Sequence, residues 1–504
     1  MVAKVKSLGL RGIGGREVSV ECFLSTGMPA FDMVGLADTA VKESRERVRA
    51  AMKNCGCEFP MRRVTVNLAP ADVRKEGSLY DLPVFLGLVV ASGLLPPLPE
   101  DCAFIGELSL EGRLRPVSGV LPMALAAAAA GIRKLFVPAD NGPEAAIVRE
   151  LEVYPAAHAR EILSHLRGAR PLERQFPGET AAPVRDVPDF SEVRGQDNAK
   201  RALEIAAAGS HNILMIGTPG AGKSMLARRI PSILPDMTRE EALETTAIHS
   251  VVGLTSREEP ILTRRPFRSP HHSISAGGLA GGGSVPRPGE MSLAHLGVLF
   301  LDEMPEFSRE ALECLRQPME DGALTISRVA GLFTYPARFM LVCAMNPCKC
   351  GWYGHSSGRC RCGEESVKRY FGRVSGPLLD RIDIQVEVPA VSYEELSTRP
   401  AAPENSAAIR ARVNAARAVQ ATRFGVSTRC NAHITNTQME EHCLLDDEGK
   451  RLMESAFTRL GMTARSYTRI LKVARTIADL EGAGEIQAPH LAEALQYRQL
   501  TAEG

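Results

Sequence analysis

The sequence lacks an excess of charge of either sign, since 60 lysines and arginines stand against 59 aspartates and glutamates. A globally basic surface is thereby excluded, and a nucleic-acid partner has to be held by local basic patches. A membrane-length apolar run is also missing. The longest, at 82–96, is short and carries prolines, and the N-terminal residues MVAKVKSLGLRGIG contain no apolar secretory core. These absences predict a cytoplasmic protein with no membrane partner. No biased tract argues for disorder, and no repeat of solenoid length is visible. What remains is ordinary globular usage, 44% hydrophobic and 24% charged, over 504 residues. That length predicts several domains, at least one with a large core. The 12 cysteines, without a secretory signal, are expected as free thiols or metal ligands rather than a disulfide framework.

Residues 1–168 mix short β-type runs at 18–23 and 64–68 with helical patterns at 39–53 and 121–131, an α/β or α+β pattern. Residues 169–189 hold Pro171, Pro177, Pro183 and Pro188 among few apolar residues, which is linker composition. Over 190–395, apolar strands at 213–216, 298–301 and 339–344 alternate with helices, so a parallel sheet wrapped by helices is expected. The pattern over 396–504 is helical throughout.

The strongest local pattern follows the strand at 213–216. Gly217, Thr218, Pro219, Gly220, Ala221, Gly222, Lys223 and Ser224 form a full Walker A loop between that strand and a helical run. Its glycines let successive backbone N–H groups wrap phosphates. Lys223 reaches the β- and γ-phosphates of ATP, and Ser224 offers a hydroxyl to Mg2+. A second apolar strand ends in Asp302 and Glu303. Asp302 is expected to hold Mg2+ through water, and Glu303 to orient and deprotonate the attacking water. A third strand ends before Asn346, which is expected between the two Walker strands, helping to position that water.

In this order, and followed by Arg381 within Leu-Leu-Asp-Arg-Ile-Asp, the motifs resemble an AAA+ module with its sensor 1 and arginine finger. The resemblance implies that Arg381 stabilises developing charge on a neighbouring subunit's ATP, so that hydrolysis depends on a ring. An arginine in a surface salt bridge is the alternative. Arg465 and Arg469 open a long amphipathic helix, as in the sensor 2 helix of an AAA+ lid, and their spacing puts them on one face. By its place in the resembling motif, Arg465 is preferred over Arg469 as the γ-phosphate contact. Gly195 and Gln196 resemble the Gly-Gln box that packs near adenine in these ATPases.

Between the Walker strands, Arg264, Arg265, Arg268, His271 and His272 lie in Arg-Arg-Pro-Phe-Arg-Ser-Pro-His-His, ahead of a glycine run at 277–283. So long a glycine-rich insertion is more often functional than structural. It resembles, nearly residue for residue, the ComM/YifB family of magnesium-chelatase-like AAA+ ATPases, in which such insertions face a central pore. The resemblance implies that Arg264, Arg265 and Arg268 meet DNA phosphates there. A hairpin expected over 325–338, with Arg328 and Arg338, is a second candidate pore loop. For His271 and His272 no third metal ligand is apparent nearby, which argues against a metal there.

Cys348 and Cys350, then Cys360 and Cys362, form two close pairs. Four thiolates close a tetrahedral Zn2+ site of structural type, free thiols being the alternative. In the N-terminal region, the segments 67–83 and 105–121 resemble the Lon protease domain. The serine position reads Leu79 and the lysine position reads Leu121, while Ser78 is one residue displaced and lacks that base. The resemblance thus implies a Lon-like (ribosomal S5-like) α+β domain without protease residues.

Together the resemblances imply an α/β fold class. A Lon-like domain precedes an AAA+ P-loop parallel sheet with a helical lid of the magnesium-chelatase C-terminal type. The family implies a hexameric, ATP- and Mg2+-dependent DNA motor with helicase activity, promoting branch migration of recombination intermediates during natural transformation. The rivals are a chelatase-type motor driving metal insertion, which the Lon-like domain and cysteine cluster disfavour, and an ATP-gated scaffold. An ATP-dependent protease is disfavoured by Leu79 and Leu121.

Overall fold

Alternating burial along strands such as Arg63–Ala69, where every second side chain is sealed, builds a sheet with one face on a core. The computed structural model describes residues 2–498 except 37, 72–73, 179–186, 284–285, 329–330, 392–396, 398–402, 427 and 460. Part of the expected linker, most of 396–402, the turn of the hairpin at 325–338 and Asp72 of the Lon-like motif thus lie outside the described residues.

The chain divides into two compact units, one of Met1–Pro183 with Ala242–Leu262, the other of Val184–Glu241 with Thr263–Gly504. In the first, the strands are β1 (Val2–Arg11), β2 (Gly14–Ser25), β3 (Ala30–Val34), β4 (Arg63–Ala69) and β5 (Cys102–Phe104). They continue with β6 (Glu107–Leu108), β7 (Leu114–Arg115), β8 (Lys134–Pro138) and β9 (Glu152–Ala156). Seven of them form one sheet in the order β3-β4-β2-β1-β5-β8-β9, and β6 and β7 form a small hairpin. β1 and β4 run antiparallel to β2, and the remaining pairs of the large sheet are parallel, an α+β arrangement. The apolar run at 82–96 supplies a core helix, Asp81–Ala91, buried from Asp81 to Val90. Its one acid is satisfied: Asp81 accepts from Arg47 Nε at 2.6 Å and from the Leu108 N–H at 3.1 Å.

Segment 242–262 was assigned from sequence to the ATPase core, whereas the structure clusters it with the first unit. Leu243, Ala247 and Ile261 pack against that unit's core, and the Gly119 N–H donates to the Ser250 carbonyl at 2.9 Å. The cause is burial: the apolar residues of 242–262 find their partners far away in sequence, a choice local pattern does not encode.

The second unit contains β10 (Ile213–Ile216), β11 (Phe267–Arg268), β12 (Gly281–Gly282), β13 (Arg287–Pro288) and β14 (Val298–Leu301). β15 (Ala323–Arg328), β16 (Gly331–Pro336), β17 (Met340–Met345) and β18 (Ile384–Glu387) complete it. A five-stranded sheet has the order β11-β14-β17-β10-β18, every pair parallel. β10, β14 and β17 are buried along their whole length, as continuous apolar runs are when both faces of a parallel sheet are covered. Arg268, read as part of a pore insertion, thus belongs to the edge strand of the main sheet. Among the described residues, α-helices follow at Ser406–Phe424, Asn436–His442, Asp447–Arg459, Ala464–Leu480 and Ala488–Gln496, as the lid pattern predicts. Among the described residues no helix is long and apolar enough to cross a membrane.

Candidate active site

The order of the sheet sets the site, because β17 lies between β14 and β10 and their C-terminal ends come together. β10 runs into the Walker A loop and ends at the helix Lys223–Ala227, entered through Gly222 at φ 93°, a left-handed conformation that costs glycine little. Lys223 Nζ donates to the Gly217 carbonyl at 2.6 Å, the Thr218 carbonyl at 3.0 Å and Asn346 Oδ1 at 3.1 Å. Burial holds the Lys223 pKa below its ordinary value, against the pull of Asp302 and Glu303. Ser224 Oγ donates to Asp302 Oδ2 at 2.6 Å, so the two groups expected on Mg2+ already face one another. This oxygen pair suits a hard cation. Glu303 follows at φ 53°, its own N–H bonded to Asp302 Oδ1 at 3.0 Å. Lys223, Ser224, Asp302 and Asn346, from three strand ends, therefore meet in one place.

Gln196 supports the same loop from the side. Its Nε2 donates to the Ala221 carbonyl at 3.3 Å and the Pro389 carbonyl at 2.6 Å, while its buried Oε1 has no hydrogen-bond partner among the described residues. An unpartnered buried acceptor beside a phosphate loop is what an adenine amino group would satisfy.

The cysteine loop packs on the Walker A loop. A side chain on Gly351 would come within 2.5 Å of Pro219 Cγ, so close approach of the two backbones requires glycine there. Cys348 Sγ lies 3.3 Å from Cys350 Sγ and 3.9 Å from Cys360 Sγ, and Cys350 lies 3.6 Å from Cys360. With Cys362, the four ligand atoms fall within 4.8 Å of one another. Four thiolates about 2.3 Å from one zinc ion sit about 3.8 Å apart, so the donor set fits. The Trp352 backbone N–H helps hold the Cys350 thiol down at about 6, favouring the ligating thiolate.

The arginines expected to touch phosphate are elsewhere. Arg465, Arg469, Arg338 and Lys472 line a cavity of about 340 Å3 with Asn212 and Asp383. Asn212 precedes β10 and Asp383 precedes β18, so this cavity opens at the N-terminal ends of the strands, and the Walker A loop at the C-terminal ends. Arg469 Nη1 donates to Asp383 Oδ1 and to the Arg381 carbonyl. Arg381 itself is buried, donating to the Pro377 carbonyl at 2.7 Å and paired with Glu320. Burial alone would raise the Asp383 pKa, but Arg469 and His211 outweigh it and hold the carboxyl well below the usual range. Arg465 is exposed. Sequence spacing could not show which end of a strand a distant helix would cover.

Of the arginines expected on DNA, Arg265 and Arg268 are held by protein groups distant in sequence. Arg265 is tied to the Pro235 carbonyl at 2.7 Å, the Leu296 carbonyl at 2.9 Å and Glu241 at 2.8 Å. Arg268 forms a bidentate pair with Glu290 at 2.6 and 2.7 Å. Carboxylates that far away in sequence leave no local signal. Arg264 and Arg328 are exposed. In the first unit, Leu79 and Leu121 are both buried, and Ser78 Oγ donates to Glu107 rather than to a lysine.

The family model described as magnesium chelatase, subunit ChlI, matches residues 189–396, and its C-terminal counterpart matches 403–498. A further model, subunit ChlI of Mg-chelatase, matches 20–141. The protein YifB of Salmonella typhimurium is 43% identical over 498 residues, covering 99% of this chain and 97% of YifB. The competence protein ComM of Haemophilus influenzae is 43% identical over 502 residues, 99% of this chain and 97% of ComM. A Lon protease of Rhizobium meliloti is 27% identical over 196 residues, 36% of this chain and 24% of that protein, similarity that falls in the N-terminal part.

Proposed function

The chain belongs to the ComM/YifB family of magnesium-chelatase-like AAA+ ATPases, and from that premise we propose that it is a ring-forming motor that moves DNA. The family carries an ATPase-type enzyme using ATP and Mg2+. The observation that carries the proposal is the meeting of Lys223, the Ser224–Asp302 pair and Asn346 beside one Walker A loop. Lys223 neutralises transferring phosphate, Ser224 and Asp302 hold Mg2+, whose charge offsets that of the phosphates, and Asn346 orients water for Glu303 to deprotonate.

The ring reading is supported by the distance between the two ends of the sheet. Arg465 lines the cavity at the N-terminal strand ends and not the Walker A loop, so in this reading a phosphate it meets is a neighbour's, and the site is complete only in an assembly, here taken as a hexamer. Arg381 takes part through its buried contacts beside that same cavity. The DNA reading is supported by exposed Arg264 and Arg328 and by the name of the competence relative. Branch migration of recombination intermediates in the cytoplasm is the activity that fits a DNA-moving ring of this family. The thiolate cluster is assigned to structural Zn2+, which pins the loop resting on Pro219. The family description favours a second reading, a motor for metal insertion.

The test is ATP-driven processing of a labelled four-way DNA junction, with Lys223→Ala and Glu303→Gln as controls. Products that need ATP and vanish in both variants are expected. Vigorous ATPase activity with no strand movement would move the metal-insertion reading ahead. Metal analysis is expected to find about one zinc per chain, lost in Cys348→Ser; equal, negligible metal in both would remove the zinc assignment.

A further inference from the structure

We propose that the cysteine loop is a stacking platform for single-stranded DNA, on which one base lies against Trp352. The proposal rests on the reading of DNA as substrate. A chain of 504 residues with a net charge of +1 has no general attraction for phosphates, so a surface that meets DNA has to be a local excess of positive charge. From Cys348 to Cys362 the chain holds Lys349, Arg359 and Arg361 and no aspartate or glutamate. Carboxylates return only at Glu364 and Glu365, which open the helix Glu364–Phe371. All three cations are exposed, and among the described residues none of them has a carboxylate partner.

These basic side chains surround an aromatic. Trp352, the chain's one tryptophan, has the Arg359 guanidinium over its ring, 4.9 Å from the ring centre, and the His355 ring edge-on at 5.1 Å. Tyr353 beside it is 46% exposed. The loop is folded tightly enough to hold this arrangement. The Trp352 carbonyl accepts from the His355 N–H at 3.2 Å, and His355 Nδ1 accepts from the Ser357 N–H at 3.0 Å. Gly354 and Gly358 turn the chain at φ 78° and 65°. The four sulfurs draw the two ends together, which keeps Arg359 on one arm of the loop facing Trp352 on the other.

A ring and a guanidinium so placed suit a base and its phosphate. An exposed cation over an indole is held weakly, and a base stacked on an aromatic ring is the stronger contact. The base takes the place of Arg359 on Trp352, and the released guanidinium, with Lys349 and Arg361, meets the phosphates to either side. Duplex DNA is disfavoured, because its bases are already stacked on one another. The loop begins two residues after Asn346 and packs on Pro219 of the Walker A loop, so a separated strand is held beside the groups that hydrolyse ATP in the same chain.

The experiment adds a short oligo(dT) carrying a dye to the full-length protein and follows two signals, the anisotropy of the dye and the fluorescence of Trp352, which no second tryptophan obscures. Anisotropy should report binding, with the tryptophan emission quenched over the same concentration range, and a blunt duplex of equal length should quench little. Trp352→Ala should weaken binding of the oligonucleotide about tenfold, and Trp352→Phe, which keeps a ring, should retain most of it. Lys349→Ala and Arg361→Ala should each lower the slope of log affinity against log salt by about 0.7. Binding by anisotropy with unchanged tryptophan emission, or undiminished binding in Trp352→Ala, overturns the platform and leaves the DNA reading standing. Equal quenching by the duplex overturns the stacking of a single-stranded base. A protein that binds neither the oligonucleotide nor a four-way junction at low salt overturns the platform and the DNA reading together.

Discussion

At the C-terminal ends of β10, β14 and β17 the charged groups are assembled around an open loop, with Lys223 3.1 Å from Asn346 and Ser224 2.6 Å from Asp302. At the N-terminal ends of β10 and β18 the charges are largely spent on one another. There Asp383 takes Arg469 and the Asn212 N–H, Glu320 takes Arg381, and Arg465 is left exposed. A strand of four residues spans about 13 Å, so neither end reaches the other within one chain. The difference teaches that a parallel sheet keeps the Walker A loop apart from Arg465 and Arg381, so that under the proposed ring a second subunit would bring such groups together.

The comparison is broken most severely at the loop end. Lys223→Ala or Glu303→Gln should lower kcat for ATP hydrolysis about 10³-fold, each leaving the melting temperature near that of the wild type. At the other end the expected loss is of stability. Asp383→Ala leaves Arg469 and His211 without their carboxylate and should lower unfolding free energy by about 3 kcal/mol, read by chemical denaturation. The acid limb gives the sign. The folded-state pKa of Asp383 is depressed, so its contribution is present above the unfolded value of about 3.9 and fades as pH falls below it. Asp383→Asn should therefore flatten the loss of stability in that acid range, and an unchanged acid limb would show that Asp383 does not carry it. The smallest effect belongs to Gln196. Truncating it to alanine should raise KM for ATP about fivefold, the worth of one neutral hydrogen bond, with kcat unaltered.

What could be read from the sequence was what is local. Gly217 to Ser224, the Asp302–Glu303 pair and Asn346 each stand at the end of an apolar run, so strand, turn and chemical group are adjacent in the chain. The lid helices and the core of the first unit were legible for the same reason, through periodicity. What escaped depends on distant partners: Glu241 and Glu290 closing on Arg265 and Arg268, and residues 242–262 clustering with the first unit. The placement of Arg465 and Arg469 beside Asp383 escaped too, because it is set by how the lid packs and not by the motif they belong to.

The most direct measurement is ATP hydrolysis by mixed subunits. Lys223→Ala and Arg465→Ala proteins, each inactive alone, would be combined at equal concentration and assayed over a dilution series. The account predicts that the mixture regains a substantial part of wild-type activity and loses it on dilution, because some neighbours then pair an intact loop with an intact arginine. An Arg465→Ala protein that hydrolyses ATP like the wild type, or a mixture as inactive as its components, would contradict a site shared between subunits.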